Sequence, residues 1–240
     1  MLSKSQIKRI TSLGQKKYRN REGIFVAEGI KVIQELLDSS LKLEGLWSAD
    51  AKAFKGHYNV ESATLADLKK VSFLKTPQTA IAIFKIPQAK QTTESGLTLL
   101  LDDVRDPGNL GTIIRLCDWF GISDLVCSKE TVDCYNPKVV QATMGSLTRV
   151  NVVYSDLLAY LDKTKRPIYG TYMDGENVYG SQLPKEGILV MGNEANGISS
   201  EITSRIGQRI GIPRFGPEQA TESLNVATAT AIFLSEFRRA

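Results

Sequence analysis

The sequence predicts an α/β protein made of two units, the second built on a largely parallel sheet. Three observations lead there. From Leu97 onward, short apolar runs alternate with longer amphipathic stretches, as in strand–helix–strand units whose sheet is covered on both faces. A polar, aperiodic stretch at 87–96, Pro-Gln-Ala-Lys-Gln-Thr-Thr-Glu-Ser-Gly, reads as a linker. A smaller set of strands and helices precedes it. The expected domains are residues 1–90 and 97–240.

In the first unit, residues 3–20 read as one helix with Ile7, Ile10 and Leu13 on one side. Gly23–Ala27 is a short strand and 30–38 a helix. Leu43–Ala49 and Tyr58–Glu61 read as strands. Thr64–Ser72 is a helix capped by Thr64, and Thr79–Phe84 is a strong apolar strand. In the second unit, Leu97–Leu101 is a buried strand and Asn109–Phe120 a helix stopped by Gly121. Leu125–Cys127 is a strand and Pro137–Leu147 a helix. Further strands are expected at Val150–Val153, Ile168–Tyr172, Ile188–Met191 and Arg209–Ile212, with helices near 155–163 and 199–206. The last helix is expected over Ser223–Arg238, with Val226, Thr230, Phe233 and Phe237 on one face.

Composition narrows the function. The chain has 240 residues, 42% of them hydrophobic, and no apolar run reaches the roughly 18 residues of a membrane span. The amino-terminal residues lack the apolar centre of a secretory signal. Cys117, Cys127 and Cys134 form no Cys-x-x-Cys pair, which argues against a disulfide framework and for a reducing cytoplasm. The net charge of +4 is unevenly spread. No acidic side chain precedes Glu22, whereas Lys4, Lys8, Arg9, Lys16, Lys17, Arg19 and Arg21 do. Such a basic lobe suits phosphate contacts, with Tyr18 available to stack on a base; a solvated helix face carries the same pattern.

Three glycine-punctuated polar turns each follow an apolar strand: Asp106-Pro107-Gly108-Asn109, Gly192-Asn193-Glu194, and Ser223-Leu224-Asn225 after Ile212-Pro213. Ligands of parallel sheets sit beyond the carboxyl ends of the strands, so the three turns are expected to form one site. Asn109 can cap its helix. Arg115 extends from the side of the next turns and has Asp118 as an alternative ion-pair partner. Ser223 is the expected cap of the last helix, which puts Asn225 in its first turn, where asparagine is disfavoured without a polar partner. The only histidine, His57, lies in the first half, so no histidine-based triad fits the second domain. Phosphate-loop and dinucleotide-binding glycine signatures are missing from the sequence, as is a metal-ligand cluster.

With these residues in hand, the chain resembles the SpoU (TrmH-type) RNA 2′-O-ribose methyltransferases of the SPOUT superfamily. Three family motifs occur in order: Asp102 to Gly111 with Arg115, Leu189 to Ile198, and Ile212-Pro213 followed by Ser223-Leu224-Asn225-Val226-Ala227. The basic segment followed by Phe25-Val26-Ala27-Glu28-Gly29 resembles the RNA-recruiting domain of one branch. The resemblance implies an α/β SPOUT domain with a largely parallel sheet and a deep trefoil knot, preceded by a small α/β RNA-binding domain. It implies S-adenosylmethionine as cofactor, a homodimer, and methylation of structured RNA. Large-subunit ribosomal RNA is the expected substrate; transfer RNA and a catalytically inactive RNA-binding protein are the alternatives. By motif position it makes Asn109, Arg115, Glu194, Ser223 and Asn225 the catalytic set, and Thr171, Gly192, Ile212 and Leu224 the cofactor set. Lys8, Arg9, Lys16, Lys17, Arg19 and Arg21 are the candidate RNA contacts. The family role of base falls on Arg115, though a guanidinium suits stabilising an oxyanion or holding a phosphate at least as well. The chain departs from the family pattern at Ala195, at Arg214 and in a longer Phe215–Glu222 loop.

Overall fold

The computed structural model describes residues 1–216 and 223–239. The first elements are α1 (Lys4–Ser12), α2 (Lys16–Glu22), β1 (Ile24–Glu28), α3 (Ile30–Leu37), β2 (Leu43–Ser48), β3 (Glu61–Ser62), α4 (Leu65–Val71) and β4 (Ala80–Lys85). There follow β5 (Leu97–Leu101), α5 (Pro107–Trp119), β6 (Asp124–Cys127), α6 (Pro137–Thr143), β7 (Asn151–Tyr154) and α7 (Leu157–Leu161). The chain ends with β8 (Ile168–Asn177), β9 (Gly187–Met191), α8 (Ser200–Thr203), β10 (Gln208–Gly211) and α9 (Val226–Arg238).

Two compact units result. One holds Met1–Gln88 together with Asp133–Thr148; the other holds Ala89–Val132 with Arg149–Ala240. The break near 88 falls in the expected linker. The excursion at 133–148, which the sequence reading puts within 97–240, packs instead with the first unit. Its apolar face (Pro137, Val139, Val140) is buried, and Tyr135 lies 4.9 Å from Phe25, ring centre to ring centre.

The first unit is a four-stranded sheet in the order β1-β4-β2-β3. β4 runs antiparallel to both neighbours. Ile10, Leu13, Val26, Leu68, Ile81 and Ile83 pack in its core. The single helix expected at 3–20 is two helices. Ser3 and Gln6 form a capping box that starts α1. The chain then breaks at Gly14, where a Cβ would lie 2.7 Å from the Phe73 ring. The strand expected at Tyr58–Glu61 is reduced to Glu61–Ser62.

The second unit is a six-stranded sheet in the order β10-β8-β9-β5-β6-β7, parallel at every pairing. β5 and β9 are buried along their whole length. From β5 the chain moves outward to β6 and β7, and β9 returns on the other side of β5. The strand order therefore reverses at β5 and β9, and loops at the carboxyl ends of such a pair open a crevice.

Candidate active site

Motif residues from three loops meet beyond the ends of β5, β9 and β10. The β5 loop enters α5 with Asp106 as cap, its Oδ1 accepting the Asn109 amide at 2.8 Å. Asn109 is thus not the cap that the sequence suggested, and its side chain is released for other bonds. Its Nδ2 donates to Glu194 Oε1 at 2.8 Å, and its Oδ1 accepts from Asn225 Nδ2, also at 2.8 Å. Asn225 in turn caps α9, its Oδ1 accepting from the amides of Ala227 at 3.0 Å and Thr228 at 3.2 Å. The helix therefore begins at Val226 rather than at Ser223. An asparagine at the cap satisfies amides that would otherwise lack partners, so propensity and site geometry agree once the start moves by three residues.

The amide orientations are set by this chain of bonds. A helix amide can only donate, so Asn225 must present its oxygen to α9 and its nitrogen to Asn109. Asn109 then presents its nitrogen to a carboxylate oxygen, the acceptor that an ionised Glu194 offers. One polarised line runs from the start of α9 to Glu194 and ties the three motifs together.

Arg115 is exposed on α5 and carries no hydrogen bond or ion pair within the described residues. The expected pair with Asp118 does not form; Asp118 is held instead by Arg149, Nε to Oδ2 at 2.9 Å. A guanidinium left in this way keeps its planar fork of donors for an anionic ligand. Ser223 is exposed beside the cap, and its hydroxyl does not close the helix.

The cofactor candidates fall into two groups. Thr171, on β8, donates its hydroxyl to the Val190 carbonyl at 3.0 Å, and Gly192 directly follows β9. A Cβ at Gly192 would sit 2.2 Å from the carbonyl carbon of Gly197, so only glycine permits this turn. Ile212 follows β10 and Leu224 precedes α9, both outside those elements, with Leu224 49% exposed. Backbone groups at these two positions and the exposed Leu224 side chain can meet a ligand. Residues 217–222, most of the longer Phe215–Glu222 loop, lie outside the described residues.

The basic lobe needs one correction. Arg19 is only 2% exposed. Its Nε meets Asp133 Oδ2 at 3.0 Å and its Nη1 donates to the Leu13 carbonyl at 2.8 Å. It is a buried ion-pair residue, unavailable to RNA, because it sits on the inward side of α2. Lys8, Lys16 and Lys17 are exposed. Arg9 and Arg21 are exposed too, but both reach Glu22. Tyr18 already carries Lys17 and Arg21 over its ring, at 4.8 and 4.9 Å from the centre.

Sequence reasoning gave no role to three motif residues that shape the loops. Asp102, 8% exposed, accepts the Ser199 amide at 2.8 Å. Asp103 adopts a left-handed φ of 60°. Asn193 spans from its own loop to the β5 loop. Only Asn193, a small amide between Gly192 and Glu194, carried a visible hint.

A parallel α/β sheet whose switch-point loops converge on such polar groups defines a ligand-binding enzyme domain. Residues 96–235 match the SpoU rRNA Methylase family and residues 4–82 an MRM3-like substrate binding domain. The chain belongs to the SpoU rRNA methylase family. A 23S rRNA (guanosine(2553)-2′-O)-methyltransferase of Bacillus subtilis is 30% identical over 97% of this chain and 96% of its own length. Among solved structures, a TrmH-family protein from Porphyromonas gingivalis is 42% identical, with a TM-score of 0.87 over 100% of this chain and 99% of its own. An rRNA methyltransferase from Sinorhizobium meliloti, solved with S-adenosylmethionine bound, is 30% identical with a TM-score of 0.85, covering 100% and 97% of the two chains.

Proposed function

We infer that this chain is an enzyme that transfers a methyl group from S-adenosylmethionine to a ribose 2′-oxygen of ribosomal RNA, most specifically of the large subunit. The observation that carries the site is the unbroken Asn225–Asn109–Glu194 line joining three loops. Family membership and the full-length relative support the reaction and its substrate class.

The cofactor supplies an activated methyl on a sulfonium. The chain's own residues must place the 2′-hydroxyl and ease loss of its proton. Asn109 and Glu194, locked to each other, offer a fixed set of polar groups where the β5 and β9 loops meet. Exposed Arg115 supplies a permanent positive charge for the developing 2′-oxyanion or the neighbouring phosphate; a guanidinium is a poor proton acceptor at neutral pH. Ser223 adds a hydroxyl beside the cap. Thr171, Gly192, Ile212 and Leu224 form the cofactor side. Their fit rests on the obligatory glycine turn and on the backbone at Ile212 and Leu224, which lies outside the strands and helices.

Three finer readings accompany this. A trefoil knot in the carboxyl-terminal part follows from the resemblance to the SPOUT methyltransferases, whose family model covers residues 96–235. A homodimer is supported by Trp119, 84% exposed and one helical turn from Arg115 on α5. Cytoplasmic residence is supported by three cysteines that are all buried thiols outside any disulfide. No described helix is long and apolar enough to cross a membrane.

The test is methyl transfer from labelled cofactor to bulk RNA, with the product mapped by nucleotide. A 2′-O-methyl on large-subunit ribosomal RNA is expected. Label confined to transfer RNA would overturn the substrate assignment, and no transfer at all would overturn the enzyme.

A further inference from the structure

We propose that Asn193 is a positioning residue, a tether that holds Glu194 in register with Asn109. The proposal rests on the site reading above and adds a residue to it. Asn193 uses every part of its side chain and backbone to shape the loop. Its amide and carbonyl form a two-bond bridge with Gly197, each bond 2.9 Å. Its Oδ1 accepts the Ala195 amide at 2.9 Å and the Asn196 amide at 3.1 Å. These bonds are local and fold the turn. One bond is different: Nδ2 donates to the Asp103 carbonyl at 2.7 Å, ninety residues away in sequence.

The acceptor is presented by unusual backbone. Asp103 has φ of 60°, a conformation that costs a non-glycine residue free energy and persists only where the surroundings hold it. Its amide is held by Ser128 Oγ at 3.1 Å and its carboxylate by Arg105 Nε at 2.7 Å. The strained residue offers its carbonyl to Asn193, and Glu194 is the next residue along. The β5 and β9 loops are thus joined at Asp102–Ser199, Asp103–Asn193 and Asn109–Glu194. The middle bond ties the residue beside Glu194 to the loop that leads into Asn109. Without it, the turn around Glu194 keeps its local bonds, but near Glu194 its side-chain ties to the β5 loop fall to the Asn109 bond and the more distant Asp102–Ser199 link.

The side chain's two functions can be separated. Asn193→Asp keeps the oxygen that folds the turn but loses the donor, and sets a carboxylate against the Asp103 carbonyl. A purely structural role in the turn would leave Asn193→Asp close to wild type. The tether predicts a fall in kcat of about 2- to 12-fold, the scale of one net hydrogen bond, with RNA KM and cofactor Kd little changed. In a Glu194→Ala background, Asn193→Asp should add almost nothing, because the tether acts through Glu194. At Asp103, glycine adopts the left-handed backbone freely and valine resists it, so Asp103→Gly should outperform Asp103→Val. The measurements are steady-state methyl transfer with the full chain, cofactor binding, and thermal unfolding of each variant. Wild-type kcat for Asn193→Asp, or full additivity with Glu194→Ala, overturns the tether alone. Wild-type kcat for Glu194→Ala overturns the site reading, and the tether with it.

Discussion

The loops beyond β5, β9 and β10 and the basic segment at 4–21 both looked functional in the sequence, yet they are organised in opposite ways. In the loops, the polar residues bond one another across long sequence separations, and their orientation follows from donor and acceptor count. In the basic segment, each cation takes whatever its helix face provides. Arg19 is buried against Asp133, Arg9 and Arg21 reach the shared Glu22, and Lys8 and Lys17 face solvent. A charge count therefore overstates the phosphate-binding capacity of the helix, whereas the motif residues of the loops carry directional information. Substitutions in the two regions should consequently differ in kind as well as in size.

The sharpest break between them is Arg19. Its side chain is 2% exposed and that of Asp133 11%. Removing one partner of a buried pair leaves an uncompensated charge and typically costs about 3–5 kcal/mol. Arg19→Ala should therefore lower the urea midpoint of the chain strongly. Replacing both partners by apolar residues, Arg19→Met with Asp133→Leu, should restore much of the stability. If Arg19→Ala instead kept full stability and weakened RNA binding, Arg19 would belong with the surface cations after all.

Arg115 sharpens the comparison from the catalytic side. It has the exposure of a lobe cation but the setting of a site residue. Arg115→Ala should leave folding and cofactor affinity nearly intact while slowing single-turnover transfer about 100–1,000-fold, the scale of losing one preorganised donor. Arg115→Lys should stay slow, because it keeps the charge but not the planar fork. Near wild-type rates for both variants would make Arg115 a surface residue like Lys8.

Much of this was legible beforehand, for physical reasons that differ by element. Alternation of apolar strands and amphipathic helices predicts the parallel sheet, since its period needs no long-range information. Asn225 is a poor fit for a helix interior and so pointed to a polar partner, which proves to be Asn109 together with the helix amides. The exact caps were not legible. Asp106 and Asn109 are both good cap residues, and only the three-dimensional turn decides between them. Nor was the packing of α6. Val139 and Val140 announce that the helix buries a face, but nothing local says that β1 of the first unit receives it. Burial of Arg19 has the same origin, since its partner Asp133 lies in that excursion. The left-handed Asp103 leaves no signature in composition at all.

The exposed lysines test the lobe itself. Removing one phosphate-binding cation should reduce the slope of log affinity against log salt by about 0.9 for duplex RNA-like sites or about 0.7 for single strands, on the polyelectrolyte scale measured with DNA. Lys8→Ala and Lys17→Ala should each flatten the plot by an amount of that order and leave cofactor affinity unchanged. Unaltered slopes in filter binding would mean that both lysines are only solvated, and the contrast between the regions would become one of function against solubility.

The smallest expected effect concerns Glu28, which ends β1 in the basic half of the comparison yet behaves like a site residue. It is 4% exposed, and its carboxylate accepts from Ser72 Oγ at 2.6 Å and from the Phe73 amide at 2.7 Å. Burial pushes its pKa above the ordinary glutamate value, and those two hydrogen bonds pull it back only in part. The folded state therefore holds the proton more tightly than the unfolded chain. Its contribution to stability is fully present below the unfolded pKa and is lost as pH rises through the raised, folded value. Glu28→Gln removes this titration. Unfolding free energy measured at a series of pH values from the acid side upward should fall more, or rise less, for the wild type than for the variant across that window. Outside the window the two curves should run parallel. Parallel curves throughout would mean that the hydrogen bonds cancel burial, and a wild type that gains on the variant as pH rises would mean that they outweigh it and that Glu28 serves at the end of β1 as a stably charged acceptor.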